Sequence, residues 1–85
     1  MTIRKTNSAG SPDLKAIGTR IRQIRGFEMR QVELAKALGT TQAQLCKYER
    51  GQNAPTLELL LKLKQFSGKS IDWIVAGDGL SDGSD

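Results

Sequence analysis

The 85-residue chain predicts an all-α domain of five short helices. Three observations carry that expectation. Apolar residues recur at spacings of three and four in five separate segments, the period of an amphipathic helix. Each of those segments is closed by a glycine: Gly26, Gly39, Gly51, Gly68 and Gly77. No stretch alternates apolar and polar residues as a half-buried strand does.

The elements follow in order. Residues 1–11 are rich in Thr, Ser, Asn and Gly and read as a flexible arm, with Arg4 and Lys5 free to lie along a polyanion. Ser11-Pro12-Asp13 then offers a polar cap, a proline for the first helical position and an acid for the first turn. The first helix should run to about Arg25. Its buried stripe is Leu14, Ile17, Ile21 and Ile24, and Lys15, Arg20, Arg22 and Arg25 lie off it. A second helix is expected over Gln31 to Leu38, with Leu34 and Leu38 inward and the small Ala35 where a neighbour crosses closely. The third should run from Gln42 to about Arg50. Thr41 caps it, Gln44 three residues on completes a capping-box pattern, and Leu45 and Tyr48 point inward.

Gln52-Asn53-Ala54-Pro55 is a loop, since Pro55 disfavours helix at Ala54. Thr56 caps a fourth helix, where Leu57, Leu59, Leu60, Leu61, Leu63 and Phe66 predict a wide apolar face. Ser70 caps a short fifth helix holding Ile71, Trp73, Ile74 and Val75. Residues 78–85 contain only Gly, Ser and Asp besides Leu80 and read as a disordered acidic tail. The expected organisation is an arm (1–11), one folded domain (12–77) and that tail (78–85).

Composition narrows the function classes. Net charge is +4 with a pI near 9.6, and three of the nine acids are Asp78, Asp82 and Asp85. Without residues 78–85 the chain carries 13 basic against 6 acidic groups, a net +7 that suits an anionic partner. There is no histidine and a single cysteine, Cys46, which excludes an intrachain disulfide and a Cys/His zinc cluster. No Gly-rich phosphate loop and no nucleophile beside a base is visible, so neither an enzyme nor a cofactor or metal is expected. Apolar runs such as Leu59 to Leu61 are too short to span a bilayer, and no apolar stretch follows Arg4 and Lys5 as a secretory signal needs. The expected location is the cytoplasm.

The stretch from Gln31 to Gly51 is the most informative part of the chain. It is two short amphipathic helices joined by a glycine turn, the second with a polar outer face, which is a helix-turn-helix able to enter a DNA groove. The motifs Gln31-x-x-Leu34-Ala35-x-x-Leu38-Gly39, Leu45-x-x-Tyr48-Glu49-Arg50-Gly51, Pro55-x-Leu57 and Ser70-Ile71-Asp72-Trp73-Ile74 together resemble the lambda-repressor-like, or Cro/XRE, helix-turn-helix family. The resemblance covers roughly Asp13 to Gly77. It implies a five-helix lambda-repressor-like bundle, double-stranded DNA as partner, and the third helix as the reading element.

Carried onto matching positions, the resemblance implies that Gln31 bonds a phosphate and buttresses Gln42. Gln42 then reads base edges, since its amide can pair with adenine N6 and N7. Ala43, Cys46 and Lys47 follow on the same outward face: Ala43 suits a thymine methyl, and Lys47 suits guanine or a phosphate. Gln44, Arg50 and Asn53 fit phosphate contacts that set register without reading sequence. Glu49 stands where the family pairs a glutamate with a first-helix arginine, here Arg25, in a structural ion pair. Trp73, Ile74 and Val75 of the fifth helix are the expected homodimer seam.

Two departures stand out. Arg30 replaces the serine or threonine that usually caps the second helix, at a cost of about 1 kcal/mol; a phosphate contact would compensate it. Thr40 replaces an apolar turn residue, predicting looser packing there. The implied function is a transcriptional regulator, most simply a repressor, on a two-fold symmetric operator, with RNA polymerase as a further partner. The same domain also serves antitoxins, which bind a toxin, and restriction-modification controllers, and a helix-turn-helix can be used for protein contacts alone.

Overall fold

The structure is a computed structural model that describes residues 12–77. The expected arm and acidic tail lie outside the described residues. Five helices follow in order: α1 Leu14–Arg25, α2 Gln31–Leu38, α3 Gln42–Glu49, α4 Leu57–Ser67 and α5 Ile71–Ala76, with no strand among the described residues. The five closing glycines all have positive φ, the conformation that ends a helix without a Cβ clash.

Helix α1 starts slightly later than the Ser11 cap would place it. Asp13 is the N-cap, its Oδ1 accepting the Ala16 N–H at 3.0 Å, and Pro12 precedes the cap rather than opening the helix. A carboxylate wins this position because it both accepts an orphan N–H and complements the positive end of the helix. Ile17 and Ile21 are buried, with Leu14 and Ile24 packed against them.

Helix α1 crosses α3 at Gly18, a buried residue with no counterpart in the expected stripe. A Cβ at Gly18 would stand 2.6 Å from the Tyr48 carbonyl oxygen and would also strike that of Glu49. The glycine costs helix propensity, about 1 kcal/mol, and in return brings the two backbones together.

Helices α2 and α3 are joined by the turn at Gly39, left-handed at φ 73° and ψ 28°. The Thr40 N–H donates to Ala35 O at 2.9 Å and the Gly39 N–H to Lys36 O at 3.1 Å, closing the end of α2. Thr40 is half-buried and borders an open cleft of about 110 Å³ between this turn and α4. Thr41 caps α3 by accepting the Gln44 N–H at 3.1 Å, but the Gln44 side chain makes no return bond, so the expected capping box is only half formed.

The core is one cluster: Ile17, Ile21, Leu34, Ala35, Leu38, Leu45, Tyr48, Leu59, Leu63 and Ile74. It lies where α1 meets α3 and α5, α2 meets α3 and α4, and α4 meets α5. The wide apolar face expected of α4 is not buried as a whole. Leu59 and Leu63 are inside, whereas Leu57 (68% exposed), Leu61 and Phe66 face solvent. Six apolar positions cannot share one side of a helix with about 3.6 residues per turn, so the surplus points away from the core. In α5 the expectation of an exposed apolar face also needs correction. Of the three expected seam residues, Ile74 is fully buried in the core, and Trp73 and Val75 are half-buried.

Candidate nucleic-acid interface

Helix α3 is held from behind by Leu45 and Tyr48, which anchor it in the core. The residues expected to meet DNA fall on its other side. Gln42, Ala43 and Lys47 are exposed and Cys46 is half-buried, spaced so that all four share one helical face. Arg50 caps the helix and is exposed, and Asn53 is half-buried in the loop that follows. Gln44 is half-buried and lies off the face shared by Gln42 and Lys47, close to the inward row.

The far end of α3 is tied down by charge. Glu49 is buried, and its two oxygens are gripped by Arg25: Nε donates to Oε2 and Nη2 to Oε1, each at 2.9 Å. This is the expected pair, in the bidentate geometry that makes such contacts strong. The network goes further than expected. Arg25 Nη1 donates to the Met29 carbonyl at 3.1 Å, and Gln31 Nε2 donates to Glu49 Oε1 at 2.9 Å. One carboxylate therefore joins the end of α1, the start of α2 and the end of α3.

That use of Gln31 differs from the role carried over by resemblance. No hydrogen bond joins Gln31 to Gln42 among the described residues; the amide nitrogen is committed to Glu49 instead. The buried carboxylate is the stronger acceptor, so it takes the donor. Nε2 keeps a second hydrogen, still available to a phosphate at the start of α2.

Arg30 is exposed and occupies the N-cap of α2 without capping through its side chain. A guanidinium has no acceptor, so it cannot take an orphan N–H. Glu33 closes the other half of the arrangement: its Oε1 accepts the Arg30 N–H at 2.9 Å and places an acid in the first turn. The spacing from Arg30 to Glu33 was a readable signal for this bond.

Residues that sequence reasoning passed over complete the frame. Gly18 sets the approach of α1 to α3, and its position inside a good helical pattern was the available clue. Arg20 crosses to α5, where Nη1 donates to the carbonyls of Ile74 at 2.9 Å and Val75 at 3.2 Å. Nothing local in the sequence announces that contact, 54 residues away in the chain. Among the described residues no group of His, Cys, Asp and Glu is placed to hold a metal ion, and no helix is long and apolar enough to cross a membrane.

A family model described as helix-turn-helix matches residues 21–74. Among solved structures, the chain is similar to the P22 c2 repressor protein crystallised in complex with synthetic operator 9T in the presence of Tl+. The two share 33% sequence identity with a TM-score of 0.68, over 73% of this chain and 96% of that one. Among curated proteins none matches the chain.

Proposed function

Because the chain belongs to the helix-turn-helix family, of the Cro/C1 type found in DNA-binding transcription regulators, we propose that it is a cytoplasmic repressor that binds a two-fold symmetric operator as a homodimer. The observation that carries this reading is the division of α3 into two sides. Leu45, Tyr48 and Glu49 fix it to the body, and Gln42, Ala43, Cys46 and Lys47 stand together on the free side. A rigidly held helix with a polar outer face is what major-groove readout needs.

In this reading Gln42 and Lys47 discriminate base pairs, Ala43 and Cys46 pack against thymine methyls, and Gln31, Arg30, Gln44, Arg50 and Asn53 hold phosphates. The two copies of α3 enter successive major grooves about 34 Å apart. Two open apolar surfaces are available for self-association: Trp73 with Val75 on α5, and Leu57 with Leu61 on α4. Occupying an operator would repress by excluding polymerase from an overlapping promoter.

Selection of bound sequences from random duplexes tests the reading. A palindromic motif is expected, and Gln42→Ala and Lys47→Ala should each relax preference at particular base pairs. Recovery of no motif, with affinity no better than for bulk DNA, would rule the reading out.

A further inference from the structure

We infer that Phe27 and Arg22 form a second DNA contact, on the sugar–phosphate backbone and minor groove just outside the half-site read by α3. The inference rests on the DNA-binding reading and extends it to a part of the surface that the helix-turn-helix does not include. Phe27 has its whole side chain in solvent, the most open large apolar residue among those described. It follows Gly26, whose φ of 76° turns the chain sharply out of α1. The loop is not loose: two residues on, Met29 packs against the core and its carbonyl accepts from Arg25. The aromatic ring is thus held outward from a pinned loop.

Position and charge select the occupant. The same Arg25 that holds Met29 grips Glu49 at the end of α3, so the Phe27 loop is one side chain away from the end of the reading helix. Three residues after Phe27 comes exposed Arg30, at the start of α2, and the one acid of the loop, exposed Glu28, is outnumbered by Arg22, Arg25 and Arg30 around it. Between Phe27 and α1 lies an open cleft of about 600 Å³ whose charged lining is Arg22 and Arg25, with Thr19 and Gln23 beside them. Arg25 is engaged by Glu49, whereas Arg22 is exposed and forms no ion pair among the described residues. A cation beside an exposed aromatic, next to a groove-reading helix, matches a phosphate with its deoxyribose. Phenylalanine is also a side chain that proteins press against minor-groove base steps.

Full-length protein and two duplexes of the selected operator test this, one ending at the outer edges of the half-sites and one extended by several base pairs at each end. Phe27→Ala should lose roughly ten-fold in affinity for the extended duplex, as expected for losing part of the burial of one aromatic side chain, and little for the short one. Arg22→Gln should lower the salt slope by about one on the extended duplex only.

A second readout does not depend on affinity. The chain has two phenylalanines, so fluorophenylalanine labelling gives two fluorine resonances, one from Phe27 and one from Phe66 on α4. The Phe27 resonance, assigned with Phe27→Leu, should shift on adding the extended duplex and not the short one. Phe27→Ala binding the extended duplex as tightly as the unmodified protein, or a Phe27 resonance that shifts no more than that of Phe66, overturns the inference while leaving α3 readout intact. Failure of the unmodified protein to bind either duplex overturns the DNA-binding reading and this contact with it.

Discussion

Gln31 and Arg25 meet on a single oxygen: both donate to Glu49 Oε1 at 2.9 Å, one from the start of α2 and one from the end of α1. Arg25 also holds the second oxygen, so the two donors are not equivalent. Removing Arg25 leaves a buried carboxylate with one neutral donor; removing Gln31 leaves the ion pair intact. Arg25→Ala should therefore cost about 3 kcal/mol, and Gln31→Ala about 1 kcal/mol, in urea unfolding monitored by circular dichroism. Equal losses from the two variants would mean that Glu49 is not the shared anchor.

Gly18→Ala pits helix propensity against packing. Alanine favours the helix by about 1 kcal/mol over glycine. The added methyl, however, meets the Tyr48 and Glu49 carbonyl oxygens, which are backbone atoms and cannot rotate away. Helix α1 has to back off α3, so the variant should be destabilised by about 2 kcal/mol or more. Thr19→Ala, one residue along on the exposed side, serves as the control and should lose little. A Gly18→Ala protein more stable than the parent would show that the helices are not in backbone contact.

Much of this frame was legible in the sequence, and the misses have specific physical reasons. Polar caps and closing glycines are local signals, so Thr41, Thr56, Ser70 and the five glycines marked the helices. The Arg25–Glu49 pair was accessible only through resemblance, because residues 24 apart carry no local sign of meeting. Ile74 was misplaced because a six-residue helix of mostly apolar residues does not show which side faces the core. Packing of α5 against α1 and α4 decides that, and only the tertiary structure contains it. The same limit applied to α4, where Leu57 and Leu61 look like core by composition and stand outside it.

The burial of Ile74 changes what its mutation reports. As a seam residue it would alter dimerisation. As a core residue, Ile74→Ala should lower unfolding stability by about 3 kcal/mol at every protein concentration. Trp73→Ala and the pair Leu57→Glu with Leu61→Glu address the open surfaces instead, and sedimentation equilibrium should show which of the two weakens self-association. A loss of stability in Ile74→Ala that disappears at high protein concentration would return it to the interface.

Arg30→Ser separates the cap from the phosphate contact. Serine can accept an orphan N–H of α2, which arginine cannot, so the variant should gain about 1 kcal/mol in unfolding stability. It also removes an exposed cation from the start of the helix. If that cation meets a phosphate, the slope of log affinity against log salt should fall by about one. A stabilised protein with an unchanged slope would make Arg30 a tolerated poor cap with no part in binding.

Arg20 provides the last test, because it closes α5 from another helix. Its Nη1 donates to the carbonyls of Ile74 and Val75, groups that a helix end leaves without partners. A cation there also complements the negative end of the helix. Gly77 makes room for this arrangement: it is buried, its φ is 80°, and a Cβ on it would collide with the Arg20 guanidinium. Arg20→Gln should therefore loosen α5 locally while Leu34, Leu45 and the rest of the α2–α3 core keep their packing. Hydrogen exchange should rise at the amides of Ile74 to Gly77 and stay unchanged in α3. Gly77→Ala should do the same through a different cause, by displacing the guanidinium from the carbonyls. Combining the two should cost less than the sum of the single variants, since they share one broken contact, while the strain of an alanine at φ 80° remains a separate cost of Gly77→Ala; full additivity would mean that the Arg20 contact plays no part in the effect of Gly77→Ala.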